Sequence, residues 1–426
     1  MCSPRRSPLP LCRYDEPKLL DALESQLVRT LEQPEVLHEA QACTIIEALG
    51  ALHYHGRSST ILTLLIERLH SVQQLLPHSA VALVHGLALL HVEPPAPLGI
   101  ADIMRLMSAS GLAIDPAEAG TLLWSLVQLG CAELAREAIR TLPVDIAETA
   151  QHADLHSLTL CLWSLLTLRC YEHRLTIAVL QAISQAASGV ALPAQLCRIA
   201  ECMLMLQLEA PPELGLVLPP LLCQKAQLAW QQVQLQVSCE RAPQPLLELS
   251  AIPLHANAHH GALSPQVQSE RAPQPLLEVS ATLEALGLPH RVKVFNTYVI
   301  DALVPHDVTG GPTFAILLHA AKDYTSTGQL LGALQLKARL LQALGCVVIH
   351  IRHEEWNDQR TDEMRQRALR ERLQPHMPGG LKAGQDNGSV AGAGAATSGA
   401  AQAALADPRA AMAAADPRST DPRTMQ

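Results

Sequence analysis

One short apolar phrase recurs five times in the first half of the 426-residue chain, and its spacing constrains the fold more than any other feature. In the first four copies, apolar residues also stand three and four positions before the leading leucine and three positions after it, which is one face of an α-helix. Trp124 and Trp163 occupy the same position in neighbouring copies. The pattern therefore predicts about five equivalent helices, 38 to 39 residues apart. The leading leucines are Leu49, Leu87, Leu126, Leu165 and Leu204.

A second amphipathic stretch follows each phrase after a short break. Asp115-Pro116 and Asp154 place an N-cap before two of the first helices, and in the former case a proline at the first helical position as well. A hairpin of two such helices cannot bury its apolar face alone, so successive hairpins must stack. Residues 17–230 are therefore predicted to form an all-α solenoid of helical hairpins. The second stretches are Ser58–Val72, Leu98–Ala109, Ala132–Leu142, Tyr171–Ala187 and Glu213–Trp230.

Composition agrees with packed helices and argues against other classes. The chain is 48% hydrophobic but only 3% aromatic, so Leu and Ala must supply the core. No run approaches the roughly 18 uncharged apolar residues of a membrane span, so we expect no membrane insertion. The eleven cysteines form no CxxC pair, which favours a reducing compartment over a disulfide framework. Residues 1–16 have basic and proline residues but no apolar signal core, and we interpret them as a weak match to an organelle-targeting remnant.

The segment from 231 to 286 is interpreted as a linker that ends in a helix, Leu276–Leu286. Glu240–Glu248 (ERAPQPLLE) recurs verbatim at Glu270–Glu278, which indicates a recent duplication and no solenoid repeat. His255 and His259 between the copies have the spacing of two helical metal ligands, but Pro and Gly flank them. We expect a loop there and no metal site.

After Gly287 the pattern changes to that of a small α/β domain, residues 287–376. A β-branched stretch covers Val292–Val304, and two buried strands, Thr313–Ala320 and Cys346–Ile351, enclose an amphipathic helix at Gly328–Leu344. This order predicts two parallel strands joined by a right-handed crossover. A charged helix, Asp358–Leu373, follows, and the Gly/Ala-rich tail 377–426 is predicted to be disordered.

Both halves resemble known families. The 38-residue hairpin with its Leu-Trp-Ser-Leu first helix resembles octotricopeptide repeats and the helical regions of FAST-kinase-like proteins. The C-terminal motifs resemble the RAP domain, which implies a fold related to PD-(D/E)xK nucleases. The combination implies an RNA-binding protein of mitochondria or chloroplasts. The motifs that carry the RAP resemblance are Tyr298-x-x-Asp301, Leu336-Lys337-x-Arg339-Leu340-Leu341, Leu344-Gly345-x-Val347-Val348 and Glu355-Trp356.

Catalysis is not expected, although Asp301 is a candidate carboxylate. A metal-dependent nuclease needs two or more carboxylates around its cation. The resembled family places its second acid near the end of the next strand, followed by a Gly-Pro pair. This chain has Leu318 and His319 at that place, and no Gly-Pro pair follows them. We therefore expect Asp301 to be a structural hydrogen-bond acceptor, with no metal or cofactor bound.

Six residues are candidates for contact with RNA. Five basic side chains would neutralise phosphates and the tryptophan would stack a base, unless it seals the core of its domain. Residues 14–230 hold 11 Lys and Arg against 22 Asp and Glu, whereas residues 291–376 hold 11 against 9. The candidates are Lys337, Arg339, Arg352, Trp356, Arg136 and Arg174.

Three functions follow from this pattern. The first is a mitochondrial-matrix, or alternatively chloroplast, protein that binds single-stranded mRNA or rRNA in RNA processing, stability, rRNA maturation or translation, with organelle ribosomal or RNA-processing proteins as further partners. The second is a protein-binding scaffold or an accessory component of an organelle ribosome, because the array is acidic. The third is a RAP-domain nuclease that uses Asp301.

Overall fold

The computed structural model describes ten stretches of the chain. The N-terminal segment 1–16, residues 242–273 of the expected linker and the expected tail beyond Met377 lie outside them. His255, His259 and the interior of the duplicated segment therefore have no structural account. The described residues are 25–30, 38–52, 58–70, 72–94, 98–141, 153–186, 192–241, 274–295, 298–305 and 311–377.

The repeat forms the helical hairpins that its spacing predicts. Each phrase lies in the first helix of a hairpin, and the second stretch forms the other helix. The last helix continues to Arg241, beyond the predicted end of the array at residue 230. The first helices are α1 (Glu39–Ala51), α3 (Pro77–Leu90), α5 (Pro116–Gln128), α7 (Leu155–Thr167) and α9 (Pro193–Glu209). The second helices are α2 (Ser58–His70), α4 (Ile100–Ala109), α6 (Ala132–Thr141), α8 (Arg174–Ala186) and α10 (Pro220–Arg241).

Successive first helices pack directly on one another and form the inner layer of the array. The predicted caps are present: Asp115 accepts a hydrogen bond from the amide of Ala117 at 2.8 Å, and Asp154 from that of Ser157 at 2.9 Å. Small residues allow the closest approaches. A Cβ atom on Gly120 would lie 2.5 Å from the carbonyl oxygen of Ser157, so α5 and α7 meet backbone to backbone at this point.

The C-terminal domain contains a four-stranded sheet in the order β1-β2-β3-β4, formed by β1 (Arg291–Phe295), β2 (Tyr298–Val304), β3 (Thr313–His319) and β4 (Cys346–Arg352). The predicted stretch 292–304 is thus two antiparallel strands and not one. Strands β3 and β4 are parallel, as the strand–helix–strand order predicts, and α12 (Gly332–Ala343) connects them. The helices α13 (His353–Asn357) and α14 (Asp362–Leu373) follow β4.

Helix α11 (Gln274–Ala285) belongs to this domain and not to a linker, which corrects the predicted boundary at 286. Its Val279 and Leu283 are fully buried with Leu369 and Leu373 of α14 against one face of the sheet. Glu278 also forms an ion pair with Arg365 of α14 at 3.1 Å. The boundary was misplaced because the duplicated sequence suggested a linker, whereas its second copy ends inside this packed helix.

Helix α12 covers the other face of the sheet and is itself covered by the array. Leu341 packs with Ile300, Leu303 and the sheet, whereas Leu336 and Leu340 are part of the hydrophobic core of the array. The described residues include no helix long and apolar enough to cross a membrane. The C-terminal domain is therefore a three-layer α/β/α unit. Its outer helix α12 lies between the sheet and the solenoid and packs against both.

We predict that Gly120→Val destabilises the protein by about 1–3 kcal/mol, because the added side chain must displace the backbone of α7. Chemical denaturation followed by circular dichroism measures the loss. Ala101→Val on α4 is the matched control, since it adds the same β-branched residue at an exposed position of a helix. Equal losses in the two variants would contradict the close packing of α5 on α7.

Candidate functional site

The stretch from Lys322 to Leu340 lies across the carboxyl ends of the first helices of the array. Its loop contacts the end of α3, where the imidazole of His91 is hydrogen-bonded to the carbonyl of Lys322 at 3.0 Å. The amide of Glu93 donates to the Ser326 hydroxyl at 3.1 Å, and the Thr327 hydroxyl donates to the Glu93 carboxylate at 2.6 Å. The loop is thus anchored to the third helix of the array by side-chain and backbone contacts.

The repeat provides an equivalent turn at each of three helix ends. His91, Gly130 and Arg169 stand 39 residues apart and all adopt positive φ, between 57° and 75°. In each case the backbone amide of the following residue donates a hydrogen bond to the carbonyl five residues before it, so the three helices end in the same way. A Cβ atom on Gly130 would lie 2.7 Å from the Gln329 side-chain oxygen. The 39-residue period therefore places similar turns at regular intervals, where the C-terminal domain can contact them.

Arg339 is at the centre of this contact. Its Nε lies 2.9 Å from Oε1 of Glu209, at the end of α9, as an ion pair. Its Nη1 donates to the carbonyl of Thr167 at 2.6 Å, and Nη2 approaches that of Leu166 at 3.4 Å. The guanidinium thus caps the carboxyl end of α7, where the helix dipole favours a cation.

Glu209 is held by three partners. Besides Arg339, Arg169 lies 3.6 Å from Oε1, and the Tyr171 hydroxyl donates to Oε2 at 2.6 Å. Burial, followed by the hydrogen bond to Glu209, raises the pKa of Tyr171. Only 9% of the Glu209 side chain and 22% of that of Arg339 is exposed, so the pair is largely removed from water.

Two of the predicted RNA contacts are therefore wrong. The Arg339 guanidinium is occupied by Glu209 and the end of α7, so it does not face a phosphate backbone. Trp356 is 1% exposed in the core between the sheet and α14, so its ring is inaccessible to a base. Trp356 instead seals the core of its domain, which was the alternative prediction for this residue.

Of the other four predicted cations, Arg174 and Arg352 are exposed, whereas Arg136 and Lys337 are half-buried. Arg174 is exposed at the start of α8, directly after the turn that closes α7. Arg136 on α6 lies 2.5 Å from Glu133, and both residues are on the same helix. Burial raises the pKa of Cys170 and the charge of Arg136 opposes that shift, which places Arg136 near the same turn. These arginines lie along the edge of the array to which the C-terminal domain is docked.

Lys337 and Arg352 lie beside a group of side chains that the sequence did not single out. His319 is the last residue of β3 and His350 lies two residues before the end of the parallel strand β4. Their rings stack, with Nε2 of His319 2.8 Å from Nδ1 of His350. The Arg352 guanidinium lies over the ring of Tyr324, 4.4 Å from its centre. The sequence did contain a signal for this pair: two strands predicted to be parallel each carry a histidine near the carboxyl end, so the two histidines should lie side by side.

The imidazoles at this edge are kept neutral. Burial lowers the pKa of His319 to about 4, and the nearby His350, Lys337, His353 and Arg352 contribute in the same direction. Burial also lowers the pKa of His350, with a further contribution from Lys337. Asp323 stands 4.0 Å from His319 on the opposite side. The edge therefore has fixed positive charge, on Lys337 and Arg352, next to two uncharged rings.

Asp301 lies on β2, beside the carboxyl end of β3, and has a backbone partner there. Its Oδ2 accepts a hydrogen bond from the amide of Leu318 at 2.9 Å, between neighbouring strands. In the described part of the chain, no three His, Cys, Asp or Glu side chains are grouped so that they could hold a metal ion.

Comparison with known proteins identifies part of this domain. Residues 308–372 match the model of the RAP domain, so the chain contains a RAP domain from just before β3 to the end of α14. RAP domains are generally RNA-binding domains. The match does not extend to the helical array, and a search of curated proteins finds no match to the chain.

We predict that Arg339→Met destabilises the protein by about 3–5 kcal/mol, because it leaves the buried Glu209 carboxylate without its closest cation. Denaturation midpoints measure the loss, and amide exchange should accelerate in residues 322–340. The control is Arg367→Met on α14, whose 82%-exposed side chain pairs with Glu371 on the same helix. The double variant Arg339→Met/Glu209→Gln should recover part of the loss. A loss of unfolding free energy no larger than that of the control would contradict the proposed role of the Arg339–Glu209 pair.

We predict that the free energy of unfolding decreases as the pH is lowered, because of the titration of His319. Its folded pKa of about 4 lies below the ordinary value of 6.5, so between these pH values only the unfolded chain takes up the proton. The loss is complete below pH 4 and is on the order of 3 kcal/mol. Denaturation at pH 7 and pH 4.5 measures it. His319→Gln should reduce the difference, whereas His78→Gln on the exposed side of α3 should not.

Proposed function

We propose that this chain is an RNA-binding protein that holds single-stranded mRNA or rRNA and acts in RNA processing, stability, rRNA maturation or translation without catalysis of its own. The observation that carries the proposal is a RAP domain docked through buried contacts onto the ends of stacked helical repeats. A fixed arrangement of this kind gives an RNA strand one continuous edge that includes both parts. Helical repeats are a common means of reading single-stranded RNA.

The position of the remaining cations supports the proposal. Arg136 and Arg174 lie beside the turn after α7, and Lys337 and Arg352 lie in the docked domain. Phosphate neutralisation by such side chains supplies most of the affinity of a protein for nucleic acid. The acidic composition of the array limits non-specific binding, so we expect moderate affinity and strong dependence on salt.

We further propose the mitochondrial matrix as the location, with the chloroplast as the alternative. The support is the resemblance of the repeats to octotricopeptide and FAST-kinase-like proteins, together with buried thiols such as Cys43, Cys161 and Cys202, which are not in disulfides. Partners in this setting would be organelle ribosomal or RNA-processing proteins.

A protein-binding scaffold is the second candidate, and one observation favours it. Three arginines of the second helices are paired with acids three residues earlier, at 2.5 to 2.9 Å. These pairs reduce the positive charge that the array offers to RNA and suit a basic protein partner. The pairs are Arg105–Asp102, Arg136–Glu133 and Arg140–Glu137.

A nuclease that uses Asp301 has less support, because its carboxylate is engaged by the amide of Leu318 and His319 stands at the end of the next strand. This reading requires Mg²⁺-dependent cleavage of RNA that is lost in Asp301→Asn. Cleavage at the wild-type rate in that variant would exclude the site.

We predict that the full chain binds a single-stranded RNA of about 20 nucleotides with an affinity that falls steeply between 50 and 200 mM salt. Fluorescence anisotropy measures the dissociation constants. Arg174→Gln should weaken binding and flatten the salt dependence by about 0.7 in the logarithmic slope, the share of one phosphate contact. Arg367→Gln on α14 is the control. Absence of binding, or affinity independent of salt, would favour the scaffold.

A further inference from the structure

The RAP domain has a pocket at the carboxyl ends of its two parallel strands. It has a volume of about 330 Å³, at the lower end of the range of small-ligand sites. In sheets with parallel strands, ligands bind beyond the carboxyl ends of those strands, where loops leave a crevice. The residues that line the pocket are Tyr324, Gly328, Leu330, His350, Arg352 and Glu355.

Arg352 is the cation among the lining residues, and its polar contacts with Gly328 and Glu355 are long. Its Nη2 is 3.5 Å from the carbonyl of Gly328, and its Nε is 3.7 Å from Glu355. The side chain is 46% exposed, and its guanidinium rests on the ring of Tyr324. Because Glu355 makes its shorter contact with Arg372, at 2.8 Å, the Arg352 charge is oriented by Tyr324 without being closely paired.

The surroundings favour an anion. Lys337 is close enough to oppose protonation of both His319 and His350, so its charge reaches this edge. Only His350 of the two imidazoles is among the residues that line the pocket, where it is exposed and its Nδ1 is held by the buried His319. Glu355 is the one lining residue with a negative charge.

The pocket is also coupled to the array. Tyr324, Gly328 and Leu330 line it, and they belong to the loop whose other residues contact His91, Glu93 and Gly130. A ligand that bridges the pocket and the array would therefore contact a single fixed surface.

We propose that this pocket binds a phosphate group of an RNA strand, with Arg352 as the principal donor and Glu355 as the group that limits the affinity. The inference rests on the proposed function and locates one contact within it. The phosphate belongs either to a strand terminus or to an internal phosphodiester, and the chemistry of the pocket is the same for both.

The test compares two variants of the full chain that are expected to change the affinity for RNA in opposite directions. Arg352→Gln should weaken RNA binding about tenfold, as for loss of one charge-assisted hydrogen bond. Glu355→Gln should strengthen it, since it removes the competing carboxylate. Each variant is titrated by anisotropy with one RNA sequence made with a 5′-phosphate, a 3′-phosphate or hydroxyl groups at both ends. Arg367→Gln is the control with the same charge change on α14.

The outcomes separate this inference from the proposed function. A loss in Arg352→Gln confined to one phosphorylated RNA supports a terminal phosphate, and an equal loss for all three supports an internal one. Wild-type affinity in both pocket variants overturns the pocket and leaves RNA binding intact. If the wild-type chain binds none of the RNAs, both the pocket and the proposed function fail.

Discussion

The buried ion pair between Arg339 and Glu209 determines how the two parts of this chain are related. Removing both charges from water is costly, and the pair is stable because each partner has further hydrogen bonds: Arg339 to the end of α7, and Glu209 from Tyr171. These partners come from two helices of the array, α7 and α9, from the turn after α7, and from one helix of the RAP domain. A displaced RAP domain would leave a charged carboxylate and helix carbonyls without their partner, so the docked arrangement is strongly specified.

The repeat makes this docking possible. Because the hairpins recur every 39 residues, the turns that close α3, α5 and α7 present similar backbone geometry at regular intervals. The segment from Lys322 to Leu340 contacts these turns in order. Helix α12 is apolar on two sides for this reason, with Leu341 against the sheet and Leu336 and Leu340 in the array. An isolated RAP domain would expose the second side.

Much of the fold was predictable from the sequence, because it depends on local patterns. Apolar spacing located the repeats, Asp115 and Asp154 marked helix starts, and the strand–helix–strand order gave the parallel pair. The role of Arg339 was not predictable, since its partners lie 130 or more positions away and a charge on a helix suggests an exposed face. Trp356 was assigned to RNA from the chemistry of its ring, whereas its burial depends on how α14 folds back onto the sheet. The pocket likewise appears only when β3 and β4 bring His319 and His350 together.

We propose that the array and the RAP domain present one edge to a strand of RNA. Photo-crosslinking of 4-thiouridine-substituted RNA to the full chain, with the attached peptides identified by mass spectrometry, tests it most directly. We predict crosslinks both in the peptide that contains Tyr324 and in the peptides around Arg136 and Arg174, on the same RNA molecule. Crosslinks confined to the exposed side of α14, or to the array alone, would contradict the claim.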